Sequence, residues 1–246
     1  MVNNSSKIGC ELAKLVNTKK SVAELEKFFQ VFEGGYGEGD CFLGVSVPNQ
    51  RKVAGKLWAE MQLNELEQEL HSPFHEQRLT ALFILVKRYQ KAKTTAEKAN
   101  VANLYLNNLS GVNNWDLVDS SAPYISGPYL FQTDQNDILY LLAKSKNLWE
   151  QRVAIISCFH HIRQQEFEHP LAIAELLVNH KHDLIHKAVG WMVREIGNRD
   201  LITEIAFLEK HADTMPRTML RYAIEKFPEE LRQQFLRRGK GRGLAI

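Results

Sequence analysis

The sequence predicts an all-α chain built from stacked helical repeats, and three observations predict it. Apolar residues recur at three- and four-residue intervals through most windows, while period-two alternation is almost absent; this is the signature of amphipathic helices rather than strands. The run Glu76-Gln77-Arg78-Leu79-Thr80-Ala81-Leu82-Phe83-Ile84-Leu85 is echoed by Glu150-Gln151-Arg152-Val153-Ala154-Ile155-Ile156-Ser157-Cys158-Phe159, with the two arginines 74 residues apart. Half of that offset falls on Trp115, and a step of 35 from Arg152 reaches Lys187. Steps of this size match the period of about 33 to 47 residues of helical-pair repeats of the HEAT and armadillo type. A unit of that kind buries its apolar face only against its neighbours, so a solenoid with a concave face is expected.

Composition narrows the class further. At 44% hydrophobic and 24% charged residues the chain is neither disordered nor membrane-embedded in character, and no apolar run approaches the roughly 18 residues of a membrane span. The first residues, Met1-Val2-Asn3-Asn4-Ser5-Ser6-Lys7, lack the apolar stretch of a secretory signal, so a cytoplasmic location is expected. Cys10, Cys41 and Cys158 are scattered, which fits a reducing compartment and argues against disulfides or a cysteine zinc site. Net charge is +2, but it is unevenly spread: residues 144–246 carry 17 Lys and Arg against 13 Asp and Glu, and residues 1–143 carry 14 against 16.

One continuous helical-repeat domain over residues 1–246 is expected. Residues 1–75 read as N-terminal helices and a connector. The connector is Gly34-Gly35-Tyr36-Gly37-Glu38-Gly39-Asp40, which is acidic and has no following Gly-Lys-Ser/Thr, so it does not match a phosphate-cradling loop. Pro48-Asn49 before Arg51 to Glu60 marks a helix start. Residues 76–227 read as the stacked repeats. Within them Asn113-Asn114 and Ser120-Ser121-Ala122-Pro123 bound a short helix, Trp115 to Asp119. Lys181-His182-Asp183 reads as a turn between repeats. The last unit is expected from Met215 to Phe227, ended by Pro228, because proline disrupts a helix interior. Residues 237–246 form a basic tail, Arg237-Arg238-Gly239-Lys240-Gly241-Arg242, either solubilising or laid along phosphates.

The short helix puts an indole and a carboxylate at i and i+4, hence on one face. With Trp149-Glu150-Gln151-Arg152-Val153-Ala154-Ile155 and His186-Lys187-Ala188-Val189-Gly190-Trp191-Met192-Val193-Arg194-Glu195, it resembles the AlkD family of DNA alkylation-repair glycosylases. Gly37 to Val45 and Met215 to Ala223 are similar to stretches of that family too, so the resemblance covers nearly the whole chain. It implies a concave DNA-binding face, with Trp115, Asp119, Arg152 and Trp191 at the lesion site. The chain departs from the pattern at Asn114, where the related motif often carries a second aromatic; Tyr36 and Phe32 are candidates for an extra aromatic contact.

The implied activity is hydrolysis of the N-glycosidic bond of cationic N3- or N7-alkylated purines in duplex DNA. Such a base leaves as a neutral purine without protonation, so the barrier lies in the positive charge developing on the deoxyribose. A fixed anion, electron-rich ring faces and a positioned water meet that need. Asp119 fits the anion role, Trp115 and Trp191 the aromatic role, and Arg152 a phosphate clamp, with Lys187 and Arg194 as further DNA contacts. Each has a plainer reading: Trp191 as a packing residue, Asp119 as a cap or ion-pair partner, and Arg152, which recurs as Arg78, as a scaffold residue satisfying carbonyls of an adjacent helix. Nothing in the sequence around Lys187 argues for an unusual pKa suited to attack on the sugar, so a monofunctional enzyme is expected. His182 and His186 lie at i and i+4 but flank a turn, and phosphate contact or solvent exposure suits them better than a metal.

The expected enzyme is a cofactor-free, metal-free monomer, nucleoid-associated when bound to DNA and independent of membranes. An open groove offers little of a pocket, so the reacting nucleotide is expected to lie against Trp115 and Trp191 at the surface. The alternative is a non-catalytic helical-repeat scaffold or damaged-DNA binder.

Overall fold

A serine begins the first helix in the computed structural model, which describes residues 6–16 and 22–238. The Ser6 hydroxyl accepts from the Gly9 N–H at 2.9 Å, satisfying one of the free donors at the start of α1 (Lys7–Ala13). Helices account for all the regular structure among the described residues apart from one isolated β-bridge, Cys41 to Phe74. The chain divides into two compact units, Met1–Tyr129 and Leu130–Ile246.

In the first unit α1 is followed by α2 (Val22–Phe28), α3 (Val47–Leu57), α4 (Leu63–Leu70), α5 (His75–Lys91), α6 (Thr95–Asn107) and α7 (Trp115–Asp119). Pro48 sits in the first turn of α3, where its missing N–H costs nothing. Thr94 and Glu97 form a reciprocal capping box at α6. The central element is α5, against which α1, α3, α4, α6 and α7 all pack. Every residue of α5 from His75 to Leu85 is buried. A helix buried all round must be apolar or must satisfy its polar groups internally, and the first turn of α5 takes the second course with His75, Glu76 and Arg78. The Glu76 carboxylate accepts from the N–H groups of Leu43, Gly44 and Val45 at 2.8–3.2 Å. Arg78 donates to the Ser72 carbonyl at 2.8 Å and to Asp40 at 2.6 Å. The Gly-rich segment is therefore more than the plain connector the sequence suggested, because it delivers Asp40 into this buried cluster. Gly37 makes the path possible: a Cβ there would fall 2.2 Å from the Phe29 carbonyl oxygen.

The division between units falls within α8 (Ser126–Thr133). The second unit continues with α9 (Asp137–Ala143), α10 (Leu148–Arg163), α11 (Glu168–Leu177), α12 (Asp183–Gly197), α13 (Leu201–His211), α14 (Arg217–Ala223) and α15 (Glu229–Arg237). Asn147 caps α10 and Asp200 caps α13 through side-chain oxygens. Packing links α10 to α9, α11 and α12, and α12 to α11, α13 and α14, the neighbour-on-neighbour pattern of a helical-repeat fold. Gly190 lets α12 approach α14 closely, since a Cβ there would meet the Met219 carbonyl oxygen at 2.4 Å.

Two expectations are corrected here. Pro228 does not end the fold: it precedes the first residue of α15, a position that suits its fixed φ. Arg238, counted with the basic tail, is tied down, its guanidinium reaching Glu209 and Asp213 and its carbonyl accepting from Arg217 at 2.9 Å. Gly239 to Arg242 lie outside the described residues.

Candidate functional site

The first unit presents α7. Asn114, wholly buried, caps it: its side-chain oxygen accepts from the Trp115 N–H at 2.8 Å and its amide donates to Asp40 at 3.5 Å. Leu117 and Val118 point inward, and Trp115 and Asp119 are half-buried one turn apart. The Trp115 ring stacks on Phe29, with centroids 5.6 Å apart and planes at 20°, and meets Phe28 edge-on at 6.0 Å. Phe28 is 62% exposed, so this aromatic surface reaches solvent.

Beneath it lies a chain of ionic hydrogen bonds. The Asp116 carboxylate is 2.9 Å from His75 Nε2, and His75 Nδ1 is 2.9 Å from Asp40. With a carboxylate on each ring nitrogen, both nitrogens donate, which requires the imidazolium. Burial alone would depress the His75 pKa, but its bonds to Asp116 and Asp40 outweigh that and raise it to about 9. Burial likewise works to raise Asp40, yet His75 and Arg78 hold it below the usual carboxylate value. Phe42 stacks on the imidazolium at 4.8 Å and Phe29 lies 4.9 Å away, so the cluster supports the stacked rings and fixes Asp116, the residue between Trp115 and Leu117.

The second unit presents α12. Trp191 is half-buried, its ring centroid 6.0 Å from that of Phe159 and its Nε1 donating to Glu195 at 3.2 Å. Lys187 pairs with Asp183 at 2.8 Å, with 39% of its side chain exposed. Arg194 pairs with Glu225. Arg152, on α10, is 5% exposed, and its guanidinium donates to the Leu184 carbonyl in the first turn of α12. Around it, His180 bonds Gln151 at 2.9 Å, His182 caps Leu184 through Nδ1 at 3.1 Å, and His186 Nε2 bonds the His180 carbonyl. Glu204, on α13, is 2% exposed beside Gly197, and burial raises its pKa to about 8. Among the described residues no three His, Cys, Asp or Glu side chains converge to hold a metal ion, and no described helix is long and apolar enough to cross a membrane.

Residues 10–227 match the family described as DNA alkylation repair enzyme. The chain belongs to that family. No curated protein matches it. Among solved structures it is similar to a predicted DNA alkylation repair enzyme from Enterococcus faecalis at 15% identity, with a TM-score of 0.66, covering 85% of this chain and 95% of that one. At that identity the likeness bears on the fold, and it agrees with the all-α helical-repeat architecture.

In this DNA alkylation repair enzyme Trp115 and Asp119 share one helix of the first unit, while Arg152, Lys187, Trp191 and Arg194 gather on and around α12 of the second. The extra aromatic surface comes from Phe28 and Phe29. Tyr36 instead donates its hydroxyl to the Phe28 carbonyl at 3.0 Å, and Phe32 is 62% exposed. Sequence reading missed Phe28, Phe29, Asp40, His75 and Asp116. The adjacent Phe28-Phe29 pair and the polar run His75-Glu76-Gln77-Arg78 heading an apolar helix were the available signals.

Proposed function

We propose that this DNA alkylation repair enzyme is a monofunctional DNA glycosylase that hydrolyses the N-glycosidic bond of cationic N3- and N7-alkylated purines in duplex DNA. The observation that carries the reading is α7 itself. A carboxylate and a solvent-reaching indole share one face, and that indole rests on Phe29 above a locked ionic cluster. In the reaction, water attacks C1′ of the deoxyribose as the bond to the base breaks. The bonding pair leaves with the base, which departs as a neutral purine, and the water's proton passes to Asp119 or to solvent. Asp119 lowers the energy of the oxocarbenium-like transition state, and the indole face of Trp115 attracts the cationic base and sugar; Trp191 is the aromatic candidate of the second unit.

Lys187, the most exposed of the three cations assigned to DNA, is proposed to exchange Asp183 for a phosphate. Arg194 would do so with Glu225. The buried Arg152 acts at one remove by holding the start of α12 through Leu184. The proposed enzyme acts as a cytoplasmic monomer without metal or cofactor. The test is incubation with duplexes carrying a single N7-methylguanine or a single neutral hypoxanthine. Free 7-methylguanine and an abasic strand, with hypoxanthine retained, are expected; DNA binding with no base released overturns the reading.

A further inference from the structure

We propose that the first unit carries a second nucleic-acid site, a cationic groove between α3 and α5 that grips phosphodiesters of the duplex beside the lesion. It rests on the reading of DNA as ligand. The groove is a cavity of about 390 Å³ whose lining includes Arg51, Lys87, Lys91, Phe83, Ser120 and Tyr124, and no carboxylate. The Arg51 guanidinium lies 4.0 Å above the centroid of the Phe83 ring, and the Lys87 ammonium 4.9 Å from that of Trp58.

Five other cations of the same unit are already engaged. Lys7 pairs with Glu65, Lys14 and Lys56 with Glu11, and Arg78 with Asp40, while Arg88 is spent on the Trp58 and Met61 carbonyls. Among the described residues no carboxylate pairs with Arg51, Lys87 or Lys91. Three unneutralised cations facing one cavity repel each other unless an anion joins them. Stacking on Phe83 occupies the face of the Arg51 guanidinium and leaves its N–H edge for a phosphate.

The position of the groove selects a strand rather than a small anion. Ser120, which lines the groove, is the C-cap of α7 and next in sequence to Asp119, so the groove lies beside the helix that carries the proposed anion, within reach of the flanking phosphates of the same duplex. Tyr124, 39% exposed, offers an apolar flank to the sugar edge. Charge counting conceals the site, because residues 1–143 carry more anions than cations. The fold separates them: α4 bears Glu65, Glu67 and Glu69, whereas α3, and α5 beyond Glu76, hold no acid.

The experiment measures the affinity of the full chain for an undamaged duplex across a salt series, for the native protein, the neutral variant R51Q/K87Q/K91Q and the charge-retaining variant R51K/K87R/K91R. Each lost phosphate contact lowers the slope of log affinity against log salt by about 0.9. The neutral variant is expected to lose about 2 to 3 from the slope, equally on unrelated sequences, and the charge-retaining variant to keep the native slope. A native slope in the neutral variant overturns the groove alone, and so does an equal loss in both variants, which would report altered folding rather than charge. A native protein with no salt-dependent DNA binding overturns the groove together with the reading of DNA as ligand.

Discussion

Trp115 owes its presentation to residues far from it in sequence. Phe29 supplies the stacking surface and Phe28 the exposed edge, so the ring face proposed to meet a cationic base is preorganised. Replacing Trp115 with Leu keeps apolar bulk but removes the ring quadrupole, a loss of about 0.5 to 2 kcal/mol. At about 1.4 kcal/mol per tenfold, single-turnover release of 7-methylguanine is expected to slow roughly 2- to 30-fold, with Trp115→Phe falling between. An unchanged rate for the Leu variant would remove the indole from the chemistry. Trp115 and Asp119 were legible because one helical turn joins them. Their supports were not, since His75 reaches Asp116 across 41 residues and Asp40 across 35, and no local pattern encodes such a pairing.

At the scale of elements, α7 is too short to stand alone, as helices below about 12 to 15 residues are marginal in water. Asn114, the buried Leu117 and Val118, and the His75 bond to Asp116 hold it. Because the folded pKa of His75, about 9, lies above its usual 6.5, the folded state binds the extra proton. The stabilisation is complete below about pH 6.5 and is lost as pH rises through 9. Glu204 acts in the same direction over a lower window. Its folded pKa of about 8 exceeds the ordinary 4.5, so stability declines from pH 4.5 to 8 as the unfolded chain ionises first. Denaturant unfolding across pH is expected to show both declines. Glu204→Gln should remove the lower one, and His75→Leu should remove the upper one and destabilise by about 3 to 5 kcal/mol, since it takes the partner from the part-buried Asp116 and leaves the buried Asp40 with Arg78 alone. A His75→Leu protein with native stability would contradict the ionic cluster as the support of α7. The helices themselves were legible from apolar spacing; α15 was not, because Pro228 reads as a stop although it equally suits a helix start.

For the whole molecule, the period linking Arg78, Trp115, Arg152 and Lys187 was enough to identify a helical-repeat protein, and family membership over residues 10–227 agrees with it. The echo between Arg78 and Arg152 proved to be architectural, each guanidinium holding a backbone carbonyl near a helix start. Net charge was a poorer guide, since it hides that α3, and α5 beyond Glu76, hold no acid although they lie in the less basic part of the chain. The central claim is that Asp119 supplies the anion that stabilises the developing sugar cation. The most direct test is single-turnover release of 7-methylguanine from methylated duplex DNA by the native protein and by Asp119→Asn, both saturated with DNA. Release that collapses by two to three orders of magnitude in the variant, roughly the cost of removing one preorganised electrostatic partner, with DNA affinity kept, is the predicted result. Equal release by both proteins would contradict the account.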